Sequence, residues 1–300
     1  MKHNFKITAI LLTMFLITQL IGVYVVGYYL EDENTLPFGL EPPQPKTNTE
    51  YSGLFITIIV AFIFAIAIFF LLTKFKVEFI LRLWFFAVVT IALSITFMSF
   101  VSGFLPRALI ISTIAALVLA FVKIYKQSFI IHNATELLIY PGLAAVFVPI
   151  LNVYTISALL VLISIYDMWA VWHSGIMQKM AKYQIDNLKV FSGFFVPYVS
   201  KKTKEKIKMW KKTLSKKDLG KKRVRANVAI LGGGDVVFPI ITAGVMLKTL
   251  GLGSALLVII GAALGLGYLF FFSEKKKFYP AMPFITTGIF LGMAISYLVF

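Results

Sequence analysis

Two aspartates stand where acids are costly. Asp167 and Asp235 each lie inside a long apolar run, "IYDMWAVW" and "LGGGDVVFP", and an ionisable side chain at membrane depth is a functional candidate by default. A single such acid reads equally as a functional group or as a buried polar contact that pins two helices together. Two carboxyls brought together have a chemistry of their own: in a low-dielectric site both cannot stay ionised, so the pair holds a proton between them. One carboxylate can then take a proton from water while its partner, as the acid, polarises a carbonyl.

The surroundings suit that role. Gly232, Gly233 and Gly234 precede Asp235, and three glycines in a row are poor helix formers that admit close approach of another backbone. Pro239, four residues on, has no N–H for the Asp235 carbonyl. The helix is therefore expected to weaken on both sides of the acid, and open backbone at membrane depth is tolerated beside protein or a water-filled cavity. Gly261 with Gly265 and Gly288 with Gly292 are spaced by four, as in tight helix packing. Other chemistries have little to draw on. The chain has no cysteine, so thiolate chemistry and disulfides are excluded. Its histidines, His3, His132 and His173, are scattered and make no metal cluster.

The elements that must position the pair are membrane spans. The 300 residues are 59% hydrophobic and 14% charged, too apolar for the surface of a soluble domain. A span needs roughly 20 apolar residues, which predicts nine: 7–29, 52–73, 79–101, 108–124, 135–150, 153–173, 226–247, 253–272 and 278–300. The fourth and fifth are short, and Pro141 with Gly142 interrupts the fifth. The first is too long for a signal peptide and no small-residue cleavage site follows it, so it is expected to remain as a span.

Charge sets the expected orientation. Sixteen of the 29 Lys and Arg fall between Lys179 and Arg225, in a basic loop over 174–225 that separates spans one to six (7–173) from spans seven to nine (226–300) of a single membrane domain, 1–300. With the N-terminus cytosolic, 25 positive residues lie inside and three, Lys46, Arg107 and Lys248, outside; Arg82 is just within the third span. The bias predicts a cytosolic N-terminus and an outer C-terminus. The net charge of +16 then belongs to topology and to anionic lipid headgroups; no aromatic-interleaved platform points to nucleic acid. Within the basic loop, the apolar patch 190–199 is expected to lie in the membrane interface. Segment 30–51, with five acids and four prolines, reads as an irregular external connector.

Depth brings the acids level. Asp167 is about six residues, or roughly 9 Å, from the cytosolic end of span six, and Asp235, in a span running from Ala226, about nine residues, or roughly 14 Å, from the same face. The other eleven acids fall in loops or, for Glu78 and Glu136, at span ends. Asn133 and Thr135 form a glycosylation-type triplet that would face the cytosol, a chance match.

Tyr166 with Asp167, Gly232 and Gly234 with Asp235, and Pro280 with Ala281 in "YPAMPF" resemble the Tyr-Asp, Gly-x-Gly-Asp and Pro-Ala-Leu motifs of the presenilin and signal peptide peptidase family. Their order and their places on spans six, seven and nine match as well. The compact chain resembles the microbial members, and Pro283 the presenilin form of the third motif. Met282 stands where the family has leucine. The resemblance implies an all-α polytopic, presenilin-like fold of nine transmembrane helices and an intramembrane aspartic endopeptidase with Asp167 and Asp235 as its catalytic pair. It implies that Tyr166, Gly232, Gly233, Gly234, Pro280, Ala281, Met282 and Pro283 shape the substrate site. On bottom-up grounds Pro280 and Pro283 leave the carbonyls of Lys276 and Tyr279 without helical donors, free to pair with an unwound substrate.

The expected reaction is peptide-bond hydrolysis within transmembrane segments or signal peptides, with no metal or organic cofactor. The expected partners are single-span substrates and the lipid of a cell membrane, with a homo-oligomer left open. The rival readings are a proton-coupled transporter using the same aspartates, a prepilin-peptidase-type enzyme, and a noncatalytic scaffold.

Overall fold

The computed structural model describes residues 5–31, 34–75, 78–126, 128–174, 191–198, 227–273 and 279–300. Most of the basic loop, the Lys275–Lys277 run and Lys276 with its carbonyl lie outside these residues.

Among the described residues, nine helices are long and apolar enough to cross a membrane. They are α1 (Phe5–Leu30), α2 (Asn48–Lys74), α3 (Glu78–Val101), α4 (Ala108–Tyr125), α5 (Phe129–Phe147), α6 (Val153–Trp169), α7 (Gly233–Leu250), α8 (Leu252–Phe272) and α9 (Met282–Val299). One two-stranded antiparallel sheet, β1 (Gly193–Tyr198) with β2 (Asn227–Gly232), sits between α6 and α7 in sequence.

The core runs through α1, α5, α6, α7, α8 and α9, with Phe15, Tyr140, Leu160, Phe194, Ile240 and Ile289 buried. A satellite cluster joins α3, α4 and α5 through Leu93, Ala116, Ala120 and Ile139. Because lipid is as apolar as leucine, helices in a bilayer gain from close packing and polar contacts more than from burial itself. The α8–α9 contact is built that way: a Cβ added at Gly261 would land on the Gly288 carbonyl, and one at Gly265 on the Phe284 carbonyl. At the other extreme stands α2, whose apolar stretch has no buried residue.

Two sequence expectations need correction. Span seven is not helical from 226: residues 227–232 form β2 and the helix begins at Gly233. A short apolar run before glycines fits strand and helix alike. The fifth helix begins at Phe129 and continues through Pro141, so Glu136 is two turns in and 1% exposed rather than at a span end. At the proline turn α3 packs close, with the Ala92 carbonyl where a Cβ on Gly142 would fall and Thr96 Oγ1 donating to the Leu138 carbonyl at 2.7 Å. Within the patch at 190–199, residues 193–198 form β1, whose Phe194 is fully buried within the protein.

Candidate active site

Asp167 lies near the end of α6, where a π turn at Ala170–Ser174 follows directly. The Ala170 N–H is shared between the carbonyls of Asp167 and Tyr166. A π turn widens a helix locally, a feature frequent at functional sites. The Asp167 carboxyl is 7% exposed and faces the N-terminus of α9. The Met282 N–H donates to its Oδ2 at 3.0 Å, and the Ala281 N–H is a second donor. The segment Pro280-Ala281-Met282-Pro283 thus offers two consecutive amides between two residues that have none. Pro283, in the first turn of α9, sits where a missing N–H costs the helix nothing. The motif therefore presents N–H groups to the acid, where the sequence argument had looked for free carbonyls. Met282 makes its contact through backbone, which is indifferent to whether the side chain is Met or Leu.

Asp235 occupies the first turn of α7 and is 9% exposed. Gly232, with extended backbone at φ −64°, ψ 149°, is the N-cap, and its N–H bonds to the Asp235 carboxyl. This repeats half of a capping box, and the helix N-terminus favours negative charge there. The equal-depth argument, which counted nine helical residues before Asp235, does not hold. The acid is instead carried in by a strand-to-helix turn, close enough to α6 that Asp235 feels the charge of Asp167.

The three glycines play different parts. A Cβ on Gly233 would fall 2.7 Å from both Ser192 Oγ and Tyr140 Oη, so that position has no room for a side chain. On Gly232 it would lie 3.2 Å from Asp235 Oδ2, and on Gly234 an ordinary 3.7 Å from the Phe238 ring. Close approach, here by two hydroxyl side chains, is the reason for Gly233. Tyr166 is 45% exposed with its ring 6.3 Å from that of Trp169.

Several polar residues that the motifs do not contain also hold the site. Ser164, one turn before Asp167, donates to Thr286 Oγ1 of α9 at 2.9 Å. Gln19 of α1, fully buried, donates to the Val236 carbonyl at 2.9 Å, next to Asp235. Their signal in the sequence is a polar residue inside an apolar run.

The two buried acids thus stand on α6 and α7, two helices in contact within an apolar bundle, with backbone amides at each carboxyl. The family model described as "Signal-peptide peptidase, presenilin aspartyl protease" matches residues 12–300, and the chain belongs to that family of intramembrane aspartyl proteases. No curated protein sequence matches it. Two crystal forms of a presenilin-family intramembrane aspartate protease share the fold. The C222 form has TM-score 0.64 and 17% identity over 98% of this chain and 99% of that one. The P2 form has TM-score 0.62 and 18% identity over 97% of each.

Proposed function

We propose that Asp167 and Asp235 are the catalytic dyad and that the chain cuts transmembrane segments of single-span proteins or signal peptides. The observation that carries this reading is the pairing itself. Both acids are buried, Asp235 feels the charge of Asp167, and the donors around them are the Gly232, Ala281 and Met282 amides. One carboxylate removes a proton from water as the oxygen attacks the scissile carbonyl carbon, and the other acid protonates the carbonyl oxygen. Collapse of the tetrahedral intermediate breaks the C–N bond, with the proton passing to the departing amine.

The substrate must be extended to expose that bond. The sheet offers an edge for it. Gly193 and Phe195 of β1 send their backbone groups to α5, so the ladder bonds fall at Phe194↔Leu231 and Val196↔Ala229. Val228 and Ile230 then point their N–H and C=O away from β1, five to seven residues from Asp235 in sequence, where an unwound peptide can add as a strand. The charge bias of 25 to 3 supports a cytosolic N-terminus, an outer C-terminus and a cell-membrane setting. The basic loop then meets anionic headgroups.

The test is cleavage of a reconstituted single-span protein by the native chain, Asp167→Asn and Asp235→Asn. Each variant is expected to lose about 10³-fold or more, as loss of general acid–base catalysis commands, with folding retained. Robust cleavage by either one removes the dyad.

A further inference from the structure

The densest polar cluster apart from the aspartate pair lies along α5. Glu136 is 1% exposed and pairs with Lys123 of α4, itself buried. Lys123 Nζ also donates to His132 Nδ1 at 3.3 Å, which leaves the ring proton on Nε2 to donate to the Gly193 carbonyl at 2.8 Å. A Glu136 oxygen, Oε2, accepts the Gly193 N–H at 3.3 Å. Asn133 then holds both groups of Phe195: its Nδ2 donates to the carbonyl at 2.9 Å and its Oδ1 accepts the N–H at 3.1 Å.

These side chains do the work of a third strand. They satisfy the N–H and C=O of Gly193 and Phe195, which face away from β2. Pro197, next on the same edge, has no N–H to satisfy. Gly193 itself is at φ 138°, a conformation that side-chain-bearing residues rarely adopt. β1 is therefore clamped between α5 and β2, and β2 runs through Gly232 into Asp235.

Resting on the reading of Asp235 as catalytic, we infer that His132, Asn133 and Glu136, locked by Lys123, are positioning residues that fix Asp235 opposite Asp167 through the two strands. A buried ion pair is poor value as a stabiliser, since apolar residues of similar volume often serve as well or better. Its retention is accounted for by what it holds. The helix α5 carries a charged, hydrogen-bonded edge that an apolar helix could not offer to backbone. One turn further on, Tyr140 meets Gly233 from the same helix, so α5 touches both strands' approach to the acid.

The experiment compares the full-length native protein with Asn133→Leu, Glu136→Gln and the double variant Lys123→Met/Glu136→Leu. The double variant removes both charges at once and leaves no buried ion unpaired. Two readouts are taken: kcat and KM on the single-span test protein, and amide hydrogen exchange over 191–198 and 227–235 without substrate. For Asn133→Leu and the double variant, kcat is expected to fall about 10- to 100-fold, the scale of a displacement near 1 Å. KM should stay within about threefold, the melting temperature within about 5 °C, and exchange should rise in both segments. Glu136→Gln keeps an oxygen for the Gly193 N–H, so its kcat per folded molecule should exceed that of the double variant, although Lys123 loses its anion and stability falls. Unchanged exchange at 227–235 in both disruptive variants overturns the inference. So does faster exchange with native kcat, or a loss of kcat that only follows the folded fraction. Native-like cleavage by Asp235→Asn would instead sink the catalytic reading, while the substrate-free exchange still decides whether α5 holds the strands.

Discussion

The two aspartates are held in place by opposite means. Asp167 rides on a long helix and receives its donors from a four-residue segment at the start of α9, two amides fenced by two prolines. Asp235 is delivered by a strand that turns sharply into a helix, and its position depends on β1, on α5 behind β1, and on a glycine with no room for a side chain. The first site is a local motif meeting one long-range partner. The second is a chain of contacts spread over some hundred residues of sequence. Disturbance near Asp167 should therefore be sharp and confined to a few positions, whereas disturbance near Asp235 should spread across several elements.

The largest contrast is expected at Met282. Met282→Leu leaves the backbone donor untouched and replaces one flexible apolar side chain with another, so activity should stay within about twofold. Met282→Pro removes the N–H that reaches Asp167. It also disfavours the helical conformation of Ala281, observed at φ −87°, ψ −35°. Losing a preorganised donor to a reacting group costs about 10²-fold or more in kcat, and measuring kcat for the two variants side by side checks it. Equal activity would mean that the α9 amides do not set Asp167.

On the Asp235 side the contrast is between adjacent glycines. Gly233→Ala drives a methyl against Tyr140 Oη and Ser192 Oγ, both at 2.7 Å, and must push the turn off α5. A loss of about 10- to 100-fold in kcat is expected. Gly234→Ala meets only the Phe238 ring at ordinary distance and gains helix propensity, so it should cleave within about threefold of native. The reverse order would place the crowding elsewhere.

These glycines also mark how far sequence reasoning reaches. The nine spans follow from apolar length alone, and most of their ends match the helices within a few residues. Near Asp167 two prolines spaced by three mark the segment in the sequence, but they point to carbonyls without donors, whereas the structure turns the Ala281 and Met282 N–H groups between them to the acid. β1 and β2 were not visible. They are six residues each and meet across a gap of 28 residues, and an apolar run such as "ANVAILGGG" carries no period that distinguishes strand from helix. Misplacing the start of α5 at Pro141's expense hid Glu136, and with it the reason for His132 and Asn133, whose partners are backbone atoms of a strand that had not been recognised. Charge pairing within the bundle, as between Lys123 and Glu136, is a tertiary fact that neither residue's place in the sequence announces.

The smallest effect is expected where the two halves of the site are joined on the Asp167 side. Ser164 Oγ donates to Thr286 Oγ1 at 2.9 Å, with both residues buried. The bond ties α6 to α9 one turn from the amides that hold Asp167. Interhelical hydrogen bonds in membranes nevertheless average only about 0.6 kcal/mol, because the separated helices find other partners. Asp167 keeps both backbone donors without it. Ser164→Ala and Thr286→Val should therefore each lower stability by about that amount, and the double variant should lose no more than the sum less the shared bond. Cleavage should stay within about threefold for all three. A tenfold fall in kcat at unchanged stability would show that Asp167, like Asp235, depends on a network reaching beyond its own motif, and the contrast between the two acids would close.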